Sequence, residues 1–287
     1  MEKTLMPELP EVETVMNGLR QFLLGKKITR AKLFTPKIRN IVPKKIPKTI
    51  EKHSVLNVYR RAKYMVFDFD NGYSMIVHLG MTGVFRTILP GQKKFEQDIH
   101  DHFLMQIEDG VEIVFRDPRR FGVLDVLKTD EVPQSKYLGH LGIEPLSREF
   151  TAKKLHADLV RRSLPIKQAI MDQKIVVGVG NIYASEALFM SHIDPRRAAN
   201  SLDEQELSNL VKNIKSVLRA AIKNGGSTLR DYRNIGGERG YFQMHFGVYD
   251  REGKPCPDCT CDAEKTGGVK RIVQGNRSTF YCESKQR

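Results

Sequence analysis

The sequence predicts an α+β fold: an N-terminal β-sandwich with flanking helices, a helical second domain, and a short-stranded end. Three observations carry this. From Lys27 to Val126 the apolar residues follow a strand pattern broken by hairpin turns. Beyond a Pro- and Gly-containing stretch at 130–150 the period becomes helical. All four cysteines lie between Cys256 and Cys282. At 287 residues the chain can bury a sizeable core and is long enough for two domains.

In order, Val12, Val15, Met16, Leu19 and Leu23 recur at helical spacing, and Gly25 stops that helix. Its apolar face is expected to bury against a sheet and pin the start of the chain. Tyr64–Phe69 and Tyr73–Leu79 flank Asp70-Asn71-Gly72, a hairpin signal, and Phe103–Ile107 and Val111–Phe115 flank Asp109-Gly110, another. Residues 7–130 therefore read as the sandwich, with 131–150 as a hinge holding Pro133, Gly139, Gly142 and Pro145. In the second domain (151–248), Ser201 with Glu204 reads as a capping box. Leu207, Leu210, Val211, Ile214, Val217, Leu218 and Ala221 then form a long apolar core stripe ended by Gly225-Gly226. Residues 249–287 read as short strands around the cysteines.

The formal charge is +13 and the pI near 9.5, which suits a polyanionic partner. Ribosomal and other RNA-binding proteins share that balance, so charge alone names no substrate. With no bilayer-length apolar run and no signal-peptide pattern, the chain reads as cytoplasmic; separately, a monomer is expected. Cysteines clustered at one end of such a chain read as a metal site, not a disulfide framework.

Several stretches could carry chemistry. Met6-Pro7-Glu8-Leu9-Pro10-Glu11-Val12-Glu13-Thr14 is either an ordinary proline-rich lead-in to a helix or a nucleophile. If the chain began at Pro7, its ring nitrogen would be a secondary amine. A terminal α-amine has a reference pKa of about 7.7–8, against about 10.4 for lysine, so it is far more often unprotonated near neutrality. Such an amine can attack an electrophilic sugar carbon and form an iminium, with Glu8 beside it to move protons. Arg60-Arg61-Ala62-Lys63-Tyr64 is a solvated strand edge or a phosphate contact through Lys63. His78-Leu79-Gly80-Met81-Thr82-Gly83 and Asp117-Pro118-Arg119-Arg120-Phe121-Gly122 are common turns or, together, an apolar wedge and a guanidinium offered to a duplex. Gly178 and Gly180 fit a nucleotide loop poorly. They better suit a turn whose amides and Asn181 hold a phosphate at a helix N-terminus. Gly225 to Phe242 is a long Gly-rich loop, of a length that is usually disordered or functional.

Met6 to Thr14 resembles the amino-terminal signature of the formamidopyrimidine-DNA glycosylase family, and Leu9-Pro10-Glu11-Val12 is closer to that branch than to the endonuclease VIII branch. The resemblance continues in family order through the motifs above to Cys282. It implies a catalytic sandwich joined to a helix–two-turn–helix domain with a zinc-finger-like β-hairpin end. It implies a bifunctional glycosylase and abasic-site lyase of base excision repair, acting on double-stranded DNA that carries 8-oxoguanine, formamidopyrimidines or abasic sites. The implied catalytic set is Pro7, Glu8, Glu11, Lys63 and Arg277. Lys63, His78, Asn181 and Arg277 would hold phosphates, Met81, Arg119 and Phe121 would fill the space of a flipped base, and Lys167 would lie near the lesion. The Gly225–Phe242 loop would close over the base. Two departures matter. Met1–Leu5 precede the signature, and if retained they make Pro7 an amide, leaving a lesion-binding protein without catalysis. The family's four zinc thiolates are matched by Cys256 with Cys259 or Cys261, and by Cys282, but Lys285 stands in the fourth position. A zinc site would then draw on Cys256, Cys259, Cys261 and Cys282. No nucleotide or redox cofactor is implied.

Overall fold

The structure, a computed structural model, describes residues 6–92, 95–227, 242–257 and 261–287. These fall into two compact units. The first runs to His140 and takes back Gly225–Ser227; the second runs from Leu141 to Asn224 and resumes at Phe242.

The first unit opens with helix α1 (Leu9–Leu23), then β1 (Ile28–Leu33), a short helix α2 (Ile46–Ile50), β2 (Val55–Arg61), β3 (Tyr64–Phe69), β4 (Tyr73–His78), β5 (Val84–Ile88), β6 (Asp101–Ile107), β7 (Glu112–Arg116) and β8 (Val123–Lys128). The strands make two four-stranded antiparallel sheets, ordered β1-β6-β7-β5 and β2-β3-β4-β8. Both expected hairpins form, and Gly72 and Gly110 take the positive φ their turns require (+77° and +80°). Alternate residues of both sheets, among them Phe67, Met75, Phe103, Ile113 and Phe115, meet in one core. The apolar face of α1 joins that core, with Leu19 and Leu23 fully buried. Each such side chain contributes about 1.5–3 kcal/mol. The helix that begins next to Pro7 is therefore fixed to the sandwich by its buried face.

The second unit contains α3 (Ala152–Leu159), α4 (Ile166–Met171), α5 (Asn181–Met190), α6 (Glu204–Lys223), α7 (Ala263–Thr266) and a hairpin of β9 (Lys270–Gln274) and β10 (Arg277–Tyr281). The α6 stripe is buried as expected, but its cap lies further on than Ser201. Asp203 accepts the Glu206 amide and Glu206 accepts the Asp203 amide. Asp203…Glu206 repeats the Ser201…Glu204 spacing two residues later, and it is this second box that forms. Ser201 instead ends a 3-10 turn, Ala199–Ser201. Gly275 and Asn276 turn the hairpin at φ +53° and +60°. Among the described residues no helix is long and apolar enough to cross a membrane.

Candidate functional site

Pro7 and Glu8 are buried at the entrance to α1. Glu11, one turn along, holds them there: its Oε2 accepts the Glu8 amide at 2.9 Å. Its Oε1 accepts the Ser227 amide at 2.8 Å and the Ser227 hydroxyl at 3.0 Å. A Cβ on Gly226 would sit 3.0 Å from that same oxygen, and φ there is +79°, so the close approach needs glycine. One carboxylate thus fixes both the residue after the proline and the root of the Gly-rich loop. Met1–Leu5 and the loop's residues 228–241 lie outside the described residues.

The turn that carries Lys63 is tied to α1. Arg60 donates through Nε to Glu13 at 2.6 Å and through Nη1 to the Ala62 carbonyl at 2.8 Å. Ala62 is held at φ +54°, a left-handed conformation that costs an alanine about 1–2 kcal/mol. Lys63 follows it, half-buried. Nearby, His78 is buried with its ring 4.7 Å from that of Tyr64. Its Nδ1 faces the Gly80 amide at 2.9 Å and must accept, so the neutral ring carries its proton on Nε2. Burial first, then the charges of Lys63 and Arg39, push its pKa down to about 3. His78 is therefore a neutral donor at physiological pH, set among cations, which suits a phosphate oxygen.

The two glycine-bearing loops are bonded to each other. The Thr82 hydroxyl donates to Asp117 Oδ1 at 2.5 Å and accepts the Arg119 amide at 3.1 Å, while Asp117 Oδ2 accepts the Gly122 amide at 2.7 Å. A Cβ on Gly80 would fall 2.4 Å from the Phe121 backbone carbon, so the chains touch. Met81 is half-buried, Phe121 is 44 % exposed, and the Arg119 guanidinium lies 5.0 Å over the Phe121 ring. An exposed aromatic under a cation, on a braced loop, can enter a base stack.

In the second unit Lys167 is almost wholly buried. Its ammonium donates to Asn181 Oδ1 and Thr279 Oγ1, both at 2.7 Å, and to the Ser278 carbonyl at 3.3 Å. The Asn181 amide nitrogen donates to the Ser278 carbonyl at 2.9 Å. Lys167 thus fixes Asn181 at the start of α5 and ties both to β10, whose first residue is the exposed Arg277. The turn before α5 is held by Gln173, which accepts the Gly178 amide at 2.8 Å and donates to the Val179 carbonyl at 3.2 Å. Glu186, on the same helix, accepts the amides of Gly247, Val248 and Tyr249 at 2.7, 3.0 and 2.7 Å. Burial raises its pKa against those three bonds.

Cys256, Cys261 and Cys282 bring their sulfurs to within 3.2–3.9 Å of one another. Three thiolates on one zinc, at Zn–S of about 2.3 Å, stand about 3.8 Å apart, so the cluster fits a metal. Cys259 lies outside the described residues. Lys285 takes no part: its Nζ lies 4.4 Å over the Phe189 ring. Gln286 is buried, accepting the Cys282 amide at 2.8 Å and donating to the Ile193 carbonyl at 2.9 Å.

Sequence reading passes over Arg39, Arg60, Glu13, Thr82 and Gln286. Glu13, Arg60 and Thr82 stand inside motifs already named, but their own parts show only through partners such as Arg60–Glu13 and Thr82–Asp117.

Comparison with known proteins bears on both units. Residues 6–124 match the family described as formamidopyrimidine-DNA glycosylase N-terminal domain, and residues 141–233 match formamidopyrimidine-DNA glycosylase H2TH domain. The chain is 44% identical over 282 residues to the formamidopyrimidine-DNA glycosylase of Rhodospirillum rubrum, covering 98% of this chain and 100% of the relative. It is similar to the crystal structure of the MutM (Fpg) protein of Thermus thermophilus, with TM-score 0.83, 37% identity and 98% of each chain covered. A Lactococcus lactis Fpg in complex with DNA containing an abasic site gives TM-score 0.86 at 29% identity, covering 98% of this chain and 99% of that one.

Proposed function

Since the chain belongs to the formamidopyrimidine-DNA glycosylase family, we propose that it excises oxidised purines, 8-oxoguanine and formamidopyrimidines, from double-stranded DNA and cuts the strand at the abasic site. The observation that carries this is the buried Pro7-Glu8 step, clamped by Glu11 in the unit that also presents Lys63 and His78. In the working chain the Pro7 nitrogen is terminal. Its lone pair attacks C1′ while the glycosidic bond breaks and the base leaves with a proton. The nitrogen's own proton then passes, by way of Glu8, to O4′ as the C1′–O4′ bond breaks, which leaves a ring-opened iminium. Glu8 moves the protons as β- and then δ-elimination break the C3′–O and C5′–O bonds. Lys63, neutral His78, Asn181 and Arg277 take the phosphates. Met81, Arg119 and Phe121 fill the gap of the flipped base. Solved complexes of Lactococcus lactis Fpg with abasic-site DNA, and of its G226P mutant with Fapy-dG DNA, support this substrate class.

Zinc is the metal we assign to Cys256, Cys261 and Cys282, with Cys259 as the remaining thiolate in the chain. When bound it would tie the base of the β9–β10 hairpin and take no part in the reaction.

The test is borohydride trapping on an 8-oxoguanine duplex, with the chain beginning at Pro7 and again with Met1–Leu5 attached. An adduct on Pro7 in the first, with none in the second, is the expected result. Tight lesion binding with no adduct in either would favour the alternative, a lesion-binding protein without catalysis.

A further inference from the structure

We propose that Thr82 is a positioning residue, whose hydroxyl locks the Met81 loop to the Arg119–Phe121 loop so that both act as one stiff wedge. This rests on the reading above for what the wedge does. The hydroxyl is spent on both sides: it gives its proton to Asp117 at 2.5 Å and takes the Arg119 amide at 3.1 Å. Asp117, fully buried, is in turn immobile. Its amide donates to the His100 carbonyl at 3.0 Å, its carbonyl meets His102 Nε2 at 2.8 Å, and its second oxygen takes the Gly122 amide at 2.7 Å. Thr82 therefore joins the two loops through a side chain, reaching from the Met81 side into the backbone beneath Arg119. The loops already touch at Gly80, where no methyl group would fit.

Stiffness matters because prising a base step apart costs a few kcal/mol, and a wedge that yields instead of the stack delivers none of it. Serine keeps the hydroxyl; valine keeps the shape and loses both bonds, leaving the Arg119 amide without its acceptor.

The experiment places 2-aminopurine next to a tetrahydrofuran abasic analogue in a duplex, so that fluorescence reports unstacking on binding without any cleavage. It is paired with single-turnover excision of 8-oxoguanine from a duplex, and with strand cutting of a single-stranded oligonucleotide carrying a preformed abasic site. Thr82→Val should lose most of the fluorescence rise and excise about tenfold more slowly or worse, since it gives up both hydrogen bonds. Its single-strand cutting should stay at the wild-type rate, which also shows that the variant is folded. Thr82→Ser should restore both duplex signals. Should Thr82→Val not fold, Thr82→Ala carries the same expectation. A wild-type fluorescence rise in the hydroxyl-less variant overturns the proposal, as does an equal loss in Thr82→Ser. If the wild type unstacks the duplex but cuts nothing, the enzymatic reading falls while the wedge brace stands.

Discussion

The Lys167 ammonium meets the Asn181 carboxamide oxygen at 2.7 Å, inside the second unit and away from solvent. A lysine held in this way orients Asn181, the residue proposed to grip a phosphate, and is not itself the proposed phosphate contact. Replacing it with methionine strands the Asn181 and Thr279 oxygens, at a cost of about 1–3 kcal/mol for each buried group left unpaired. Lys167→Met should therefore lower the urea midpoint and weaken lesion-DNA binding. The slope of log K against log salt should stay as in the wild type. A direct phosphate contact would reduce that slope by about one, and such a change would move Lys167 from support to contact.

Ala62 offers a test with the opposite sign. Its φ of +54° is one that glycine adopts without strain, so Ala62→Gly relieves about 1–2 kcal/mol of it. Greater freedom in the unfolded chain takes back about 0.4–1 kcal/mol. The net expectation is a gain of roughly 0.5–1 kcal/mol in chemical denaturation. Arg60→Lys, which loses the fork between Glu13 and the Ala62 carbonyl, should destabilise and, through the phosphate contact proposed for Lys63, weaken DNA binding. A destabilised Ala62→Gly would mean that the Lys63 turn is not under strain.

His78 sets a pH dependence whose sign follows from its environment. Its folded pKa is pushed down to about 3 by burial and by Lys63 and Arg39, against about 6.5 in the unfolded chain. Below 6.5 the unfolded state takes up a proton that the folded state refuses, so stability falls as the pH drops toward 3. The limiting slope from this one group is about 1.4 kcal/mol per pH unit. Asparagine can still accept the Gly80 amide. The wild-type minus His78→Asn difference in unfolding free energy should therefore shrink from pH 6.5 to 4.5. A difference that is flat with pH would show that the ring is protonated in the fold.

Local patterns are what the sequence makes legible. The hairpins at Asp70-Asn71-Gly72 and Asp109-Gly110, the α1 face and the α6 stripe are of this kind, and the structure has all of them. The cap of α6 falls two residues beyond its expected place because two acceptable boxes overlap and only packing chooses between them. Among the candidate residues, Pro7, Glu8, His78 and Arg277 stand in motifs and can be named from the sequence. Their supports cannot: Arg60 reaches back to Glu13 in α1, Thr82 to Asp117, and Lys167 to Thr279 across more than a hundred residues. Such bonds are set by topology, and topology is not written in spacing.

The cysteine cluster joins the metal question to the hairpin. With Lys285 drawn onto Phe189, the chain end is held by protein contacts that ask nothing of a metal. Gln286 spans Cys282 and Ile193, the Arg196 guanidinium lies 4.8 Å over Tyr281, Tyr249 packs on Phe280 at 5.1 Å, and Lys167 grips Thr279. Elemental analysis should find about one zinc per chain, the stoichiometry of a single thiolate site. Chelation should make the cysteines reactive to a thiol reagent. The amides paired between β9 and β10 should nonetheless keep their protection from hydrogen exchange. Chelation should cost lesion-DNA binding less than Arg277→Ala does, because that variant deletes the phosphate contact proposed for Arg277 while chelation only loosens the base of its support. Gln286→Ala should reverse this order, making the hairpin dependent on the metal. Collapse of β9–β10 protection on chelation of the wild type would instead put the metal, not Gln286, in charge of holding Arg277.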